Sequence, residues 1–447
     1  MTPPDVLALD TSLPITPARV RGRARTLRML REVVREALHG VARNRLRAGL
    51  SMLGISWGIV SVVMLLAYGN GFQEAIMVGF RNAFGDGVAV MFPGQTSMQA
   101  GGQRAGRRIR LKEEDVTVVA QLPVIKFASP EYLARLAVTY GEKSATQAIR
   151  GVNTVYGSMR QERPARGQGR WLSDEDVADR RRVAFLGYEV ARKLFGAQQA
   201  VGQVVRIGNR PFEVIGVMED KVQMSSYFAP DKYCVFVPYT TMGELQDTTY
   251  LTTLVFQTVN PLQQDKALRA VREALARTHR FTAEDERALN INDSVENSAM
   301  IGGIINGLKV VLTFIGVLTL AIGGVGIMNI MFVSVTERTR EIGIRKALGA
   351  RRREILLQFL TEAFVITFLG GVVGVGVSWL MVWAFSPRPF LAELLDDMTR
   401  QTDIHLVLSL ELLGMCTAIL MVVGIIAGLL PALRASRLDP IESLRYE

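Results

Sequence analysis

The sequence predicts a membrane protein: four transmembrane α-helices, with a large α+β extracytoplasmic domain inserted between helices 1 and 2 on a helical stalk. Three observations predict it. Four apolar runs, Gly49–Tyr68, Val310–Thr336, Ala363–Pro387 and Leu412–Leu433, contain no Asp, Glu, Lys, Arg or His. Between the first and second runs the composition turns polar and glycine-punctuated, with short alternating segments. Apolar residues at helical spacing continue past the outer ends of those two runs.

Each apolar run reaches or exceeds the roughly 20 residues needed to cross a hydrocarbon core of about 30 Å. A charge at the centre of such a helix costs about 2.5–3.5 kcal/mol, so four clean runs bounded sharply by charges read as spans. Four buried helices of a soluble protein would rarely all reach that length without a charge. The formal net charge of +10 is distributed by side. Ten arginines, Arg19 to Arg47, precede the first run; Arg338, Arg340, Arg345, Lys346, Arg351, Arg352 and Arg353 follow the second; Arg434, Arg437 and Arg445 follow the fourth. The loop after the third run is acidic on balance, with Glu393, Asp396, Asp397 and Asp403. The positive-inside rule then predicts cytoplasmic termini and an outside location for residues 71–305 and 388–411. The charge is thus read as membrane orientation, with contacts to lipid headgroups and no nucleic-acid partner.

In chain order, residues 1–48 are expected to form a basic cytoplasmic segment with an amphipathic helix from about Thr26 to Arg47. The first span (49–70) is an uncleaved anchor, its leader too long for a signal peptide. In the outer segment (71–305), Val88–Pro93, Arg182–Gly187, Tyr233–Pro238 and Thr252–Val259 read as strands. Val204–Met218 reads as a hairpin turning at Gly208-Asn209, and Leu111–Leu122, Tyr188–Phe195 and Pro261–Thr278 as helices. Phe72, Ile76, Phe80 and Phe84 on one side, and Met300, Ile304 and Leu308 with Ile301 and Ile305 on the other, predict two stalk helices whose apolar stripes face each other. The remaining spans are 306–336, 363–387 and 412–433, with a cytoplasmic loop at 337–362 and a tail at 434–447.

Glycines inside the spans permit close helix packing; Gly324-Val-Gly326 lies in lipid with no strand before it and is no nucleotide loop. The spans hold no ionisable relay, which argues against a self-powered carrier. Cys234 and Cys416 fall in different compartments, so no disulfide is expected, and His39, His279 and His405 show no metal spacing. The outer segment shows no nucleophile–base constellation.

The most informative stretch is the charged segment Glu337, Arg338, Thr339, Arg340, Glu341, Ile342, Gly343, Ile344, Arg345, Lys346, Ala347, Leu348, Gly349 and on to Glu354, wedged between two spans. Glu341 and Arg345 stand in the favourable ion-pair order on one helix face. Ile342, Leu348 and Ile355 are placed to pack inward; Gly343 and Gly349 permit close approach and a terminating turn.

This segment, with Arg353-Glu-Ile-Leu-Leu-Gln-Phe-Leu-Thr-Glu-Ala363 and the closing Pro431-Ala-Leu-Arg-Ala-Ser-Arg-Leu-Asp-Pro-Ile-Glu-Ser-Leu-Arg-Tyr446, resembles the MacB/FtsX-type permeases of ATP-binding-cassette transporters. So does Val183-Ala-Phe-Leu-Gly187 with Leu194-Phe-Gly196 and Phe212-Glu-Val-Ile-Gly-Val217. The resemblance runs from about Leu38 to the end. It implies a permease subunit that works as a dimer with a second copy or close paralogue. Residues 337–349 match the family's coupling helix, which docks on an ATPase. ATP-driven motion would pass through the stalk to the outer domain for export or extraction of a substrate, with a periplasmic adaptor as a further partner. No Gly-x-x-x-x-Gly-Lys-Ser/Thr cradle occurs. This chain is therefore expected to be non-catalytic and to bind no cofactor, with ATP and Mg²⁺ in a separate ATP-binding subunit. The alternative is an FtsX-like regulator of a cell-wall hydrolase or sensor.

Overall fold

A computed structural model describes residues 45–100, 102–389, 400–406 and 408–445. The amphipathic helix expected before Arg47 lies, up to Asn44, outside the described residues, as does most of the acidic outer loop. Four helices are long and apolar enough to cross a membrane. The chain divides into two compact units, one built from Ala67–Val311 and Phe385–Val407, the other from the remainder.

Helix α1 (Arg45–Phe84) is unbroken and leads into strand β1 (Val88–Pro93). There follow α2 (Glu113–Ala120), β2 (Ile125–Tyr140), β3 (Lys143–Val152), α3 (Val155–Arg160), β4 (Pro164–Gly169), α4 (Asp174–Ala178), β5 (Val183–Leu186) and α5 (Tyr188–Phe195). Next come β6 (Val204–Ile207), β7 (Arg210–Met218), β8 (Cys234–Pro238), β9 (Thr253–Thr258), α6 (Gln264–His279) and β10 (Leu289–Asp293). The chain then enters α7 (Ser294–Glu337), α8 (Thr339–Ala347), α9 (Arg352–Phe385), α10 (Leu410–Arg437) and α11 (Pro440–Arg445).

The inserted domain is one mixed sheet in the order β10-β1-β9-β2-β3-β8-β5-β7-β4, with β6 pairing β2 and β7. β3 and β8, and β5 and β7, run parallel; the other pairs are antiparallel. The α+β class is therefore as the sequence predicts. The longest hairpin, β2–β3, is not announced by the sequence, because Pro130, Glu131 and Arg135 interrupt any alternation in it. The strands that follow α1 and precede α7 are direct neighbours, Ala89 opposite Asp293, so both long helices root in adjacent strands.

The two helices extend well beyond their apolar runs, and within this unit they meet where the Lys309 ammonium donates to Gln73. The facing stripes expected from the sequence need correction. Met300, Ile304 and Leu308 are exposed, Ile304 by 68 %, whereas Ile305 is buried. Of the two adjoining rows expected on α7, the one containing Ile305 thus turns inward and the row Met300, Ile304 and Leu308 turns outward.

Behind the end of α1 lies a fully buried ionic cluster. Arg150 on β3 pairs with Glu131 on β2 at 2.6 Å and with Asp231 at 3.5 Å; Arg160 pairs with Asp231 at 3.1 Å. Lys221 reaches Glu162 at 2.8 Å and Asp231 at 3.3 Å. The Tyr227 ring covers both guanidinium groups, and Arg160 lies over the Phe84 ring at the end of α1. Cations surrounding Asp231 hold its carboxyl far below the usual range despite burial. For Glu162, burial and the adjacent Asp231 carboxylate outweigh Lys221 and push it up to about 8. A carboxyl whose pKa rises on folding favours the native state in its protonated form. That contribution is whole below about pH 4.5, falls as pH rises, and is gone above about 8. Glu162→Gln should flatten this part of the stability–pH curve between pH 5 and 8, read by thermal melts of both proteins in matched buffers. Parallel curves would refute the assignment.

In the other unit, the spans pack where glycine removes a side chain. Ser56 Oγ donates to Gly370 O at 2.8 Å, and a Cβ on Gly374 would lie 2.9 Å from the Ile59 Cβ. Trp57, Phe314, Trp379, Trp383 and Ile426 are exposed, as lipid-facing side chains are.

Candidate functional site

The charged segment folds into a short helix held between two long ones. α7 ends at Glu337, and one residue, Arg338, separates it from α8. Thr339 Oγ1 donates back to Val335 O at 3.0 Å, closing that corner. The far corner closes with Leu348 N donating to Ile344 O, Gly349 N to Lys346 O and Ala350 N to Arg345 O, at 3.0–3.1 Å. Gly349 has φ +98, a value at which a side chain would strain the backbone. Glu354 then accepts from Arg351 N at 3.0 Å, which starts α9.

Of the thirteen residues singled out by sequence, the structure turns some inward. Ile342 and Gly343 are buried. Arg338 forms an ion pair at 3.3 Å with Glu362, a nearly buried carboxylate immediately before the apolar run of α9. The Lys346 ammonium donates to Ser436 O at 3.1 Å and to Leu438 O, at the carboxyl end of α10. A cation there complements the helix dipole, an effect of about 0.3–1 kcal/mol near a surface. Arg345 joins Glu341 at 2.9 Å and Gln358 at 2.9 Å, so it ties the outer face of α8 to α9.

The outward set is Glu337, Arg340, Glu341, Ile344, Ala347, Leu348 and Gly349. Two expectations are corrected here. The helix runs Thr339–Ala347 rather than through 337–349, and Leu348 is 84 % exposed rather than packed inward. The reason is the turn at 348–350, which lifts Leu348 off the face carrying Ile342. Sequence reading missed Glu362, Gln358 and Ser443 as partners of this helix. Glu362 lies inside the quoted Arg353–Ala363 motif and Ser443 inside the closing one, so both were visible as motif residues without a contact to explain them.

Opposite Gly343 sits α11. A Cβ on Gly343 would come within 2.6 Å of the Ser443 Cβ, and Ser443 is buried. Among the described residues, no group of three or more His, Cys, Asp or Glu is placed to hold a metal, and both cysteines are free and buried.

Comparison with known proteins gives the family. A family model described as the MacB-like periplasmic core domain matches residues 48–274, and one described as the FtsX-like permease C-terminal matches residues 313–440. The chain belongs to the MacB/FtsX-type permease family. It is similar to the macrolide export ATP-binding/permease protein MacB of Bdellovibrio bacteriovorus, 33 % identical over 425 residues, covering 94 % of this chain and 62 % of that one. It is also similar to MacB 2 of Aeromonas hydrophila, bearing the same description, 34 % identical over 423 residues, covering 93 % and 61 %. The chain spans about three fifths of the length of these curated relatives. Among solved structures, the periplasmic region of MacB from Actinobacillus actinomycetemcomitans aligns with 51 % of this chain and 97 % of its own, at 21 % identity and a TM-score of 0.41.

Proposed function

We propose that this permease is the membrane subunit of an ATP-binding-cassette transporter, driven by a separate nucleotide-binding subunit that docks on α8. The observation that carries the reading is the build of α8. A charged helix of nine residues, Thr339–Ala347, is braced on α9 by Arg345 and Arg338 and presents Glu341 and Ile344 outward, with Leu348 exposed in the turn after it. Such a helix is too polar to enter lipid and too well braced to be a loose connector. The "ATP-binding/permease" description of its relatives supports a partner that hydrolyses ATP with Mg²⁺, this chain itself being non-catalytic.

In this reading both termini are cytoplasmic, and motion imposed at α8 travels along α7 and α1 to the inserted domain. Each is a continuous helix, and a helix carries displacement as a stiff rod. The exposed Met300, Ile304 and Leu308 suit a second protomer, and the work done at the inserted domain is export or extraction of a substrate.

The test is capture of the nucleotide-binding subunit by the full chain from native membranes, followed by ATPase assays. Glu341→Lys should lower the captured subunit at least about tenfold with expression unchanged, and the purified chain alone should hydrolyse no ATP. Undiminished capture and hydrolysis by the Glu341→Lys complex would refute the docking assignment. Co-purification of a cell-wall hydrolase in place of cargo or adaptor would favour the regulatory alternative.

A further inference from the structure

The closing motif Leu438-Asp-Pro-Ile-Glu-Ser443 is bound to α8. Two contacts hold it there, the Lys346 bond to Leu438 O and the packing of Ser443 on Gly343, and Asp439 shapes the segment between them. Lys346 donates to two carbonyls at the end of α10, Ser436 O and Leu438 O. Asp439 then organises the turn into α11: its carboxylate accepts from Ile441 N at 2.8 Å, and its carbonyl accepts from Ser443 N at 2.9 Å and from Ser443 Oγ at 2.6 Å. Ser443 seats in a notch that exists because residue 343 has no side chain, a Cβ there standing 2.6 Å from its own. The end of a helix leaves its last carbonyls without intrahelical donors. Here a lysine from a different helix supplies one.

We propose that Lys346 and Gly343 are positioning residues that lock α8 to α10 and α11, so that a load applied at α8 enters the fourth span as well as the second and third. The second and third spans are joined to α8 through the chain itself, by Arg338 on one side and residues 348–351 on the other. The fourth span follows α8 only after the third; it packs on the second and third spans at Gly324, Gly424 and Gly428, and its direct tie to α8 is the Lys346 and Ser443 contacts. Lys346 thus acts within this chain and is not a contact for the partner, although it lies in the middle of the charged segment. The inference rests on α8 being the docking element, but the lock itself is a property of this chain alone.

The experiment uses the full chain in nanodiscs with Ser443→Cys as a reporter. Ser443 is 1 % exposed, and Cys234 and Cys416 are buried, so a hydrophilic maleimide should label the reporter slowly over a low background. Adding Lys346→Met, which keeps the stem and removes the donors, should raise the labelling rate about tenfold by opening the C-terminal segment locally. Adding Lys346→Arg should restore slow labelling, and Gly343→Leu should speed it. Equal rates in the reporter, the Lys346→Met and the Gly343→Leu proteins would overturn the lock. In the complex, Lys346→Met should retain the nucleotide-binding subunit yet lower its stimulated hydrolysis. Unchanged hydrolysis despite faster labelling would overturn the load path. If the unaltered chain captures no such subunit, the docking reading and the load path both fall, while labelling still decides the lock.

Discussion

Replacing Arg150 with methionine should destabilise the inserted domain by about 3–5 kcal/mol, the cost of stranding a buried charge by removing its partner. Arg150 and Glu131 have no exposed side-chain surface, and their contact is 2.6 Å. The Arg150 guanidinium also donates to Ala229 O at 2.9 Å and to the Cys234 sulfur at 3.3 Å. Methionine replaces the packing but none of these bonds. Glu131 would keep its hydroxyl donors, Tyr227 at 2.7–2.8 Å, Tyr156 at 3.1 Å and Thr253, and lose its only charged partner among the described contacts. The measurement is denaturant or thermal unfolding of the full chain. A second substitution, Glu131→Gln, should recover part of the loss, because the two residues are directly coupled. A single-variant loss below about 1 kcal/mol, the range of an exposed pair, would show that the cluster is solvated.

Gly343→Trp is expected to have the largest effect on coupling with little effect on the fold. No rotamer of tryptophan fits a site where even a Cβ meets Ser443 at 2.6 Å. The element that yields is α11, a helix of six residues, rather than α8, which is held between the two long helices α7 and α9. Relief by moving α11 leaves the spans and the inserted domain intact. The melting temperature should therefore shift little, while ATP hydrolysis by the bound subunit loses its dependence on the permease. Circular dichroism melts beside ATPase assays separate the two. A variant with full stimulation would show that the face of α8 toward α11 plays no part in coupling.

Sequence and tertiary structure contributed differently. The four spans, α5 and the hairpin β6–β7 were legible because their signals are local. Hydropathy runs mark the spans, apolar spacing marks Tyr188–Phe195, and Gly208, at φ +57, turns the hairpin. The charged segment was legible for the same reason, since so many ionisable residues between two apolar runs cannot be lipid-embedded. Three things were not legible. The strands β2 and β3 carry buried charges in place of alternation. The ionic cluster gathers Glu131, Arg150, Arg160, Glu162, Lys221 and Asp231 from separate elements, and no spacing along the chain marks them as partners. The division of α8 into an inner and an outer face depends on α11, which arrives after two further spans.

By itself, then, the sequence determined which segments are long and apolar enough to span and where the charged elbow falls, because transfer free energies and turn preferences act over a few residues at a time. Only the tertiary structure decided which charges are buried together, which face of α7 turns inward, and that Lys346 points into the molecule. Those outcomes depend on which surfaces meet, and contacts between distant segments leave no periodic trace in either one.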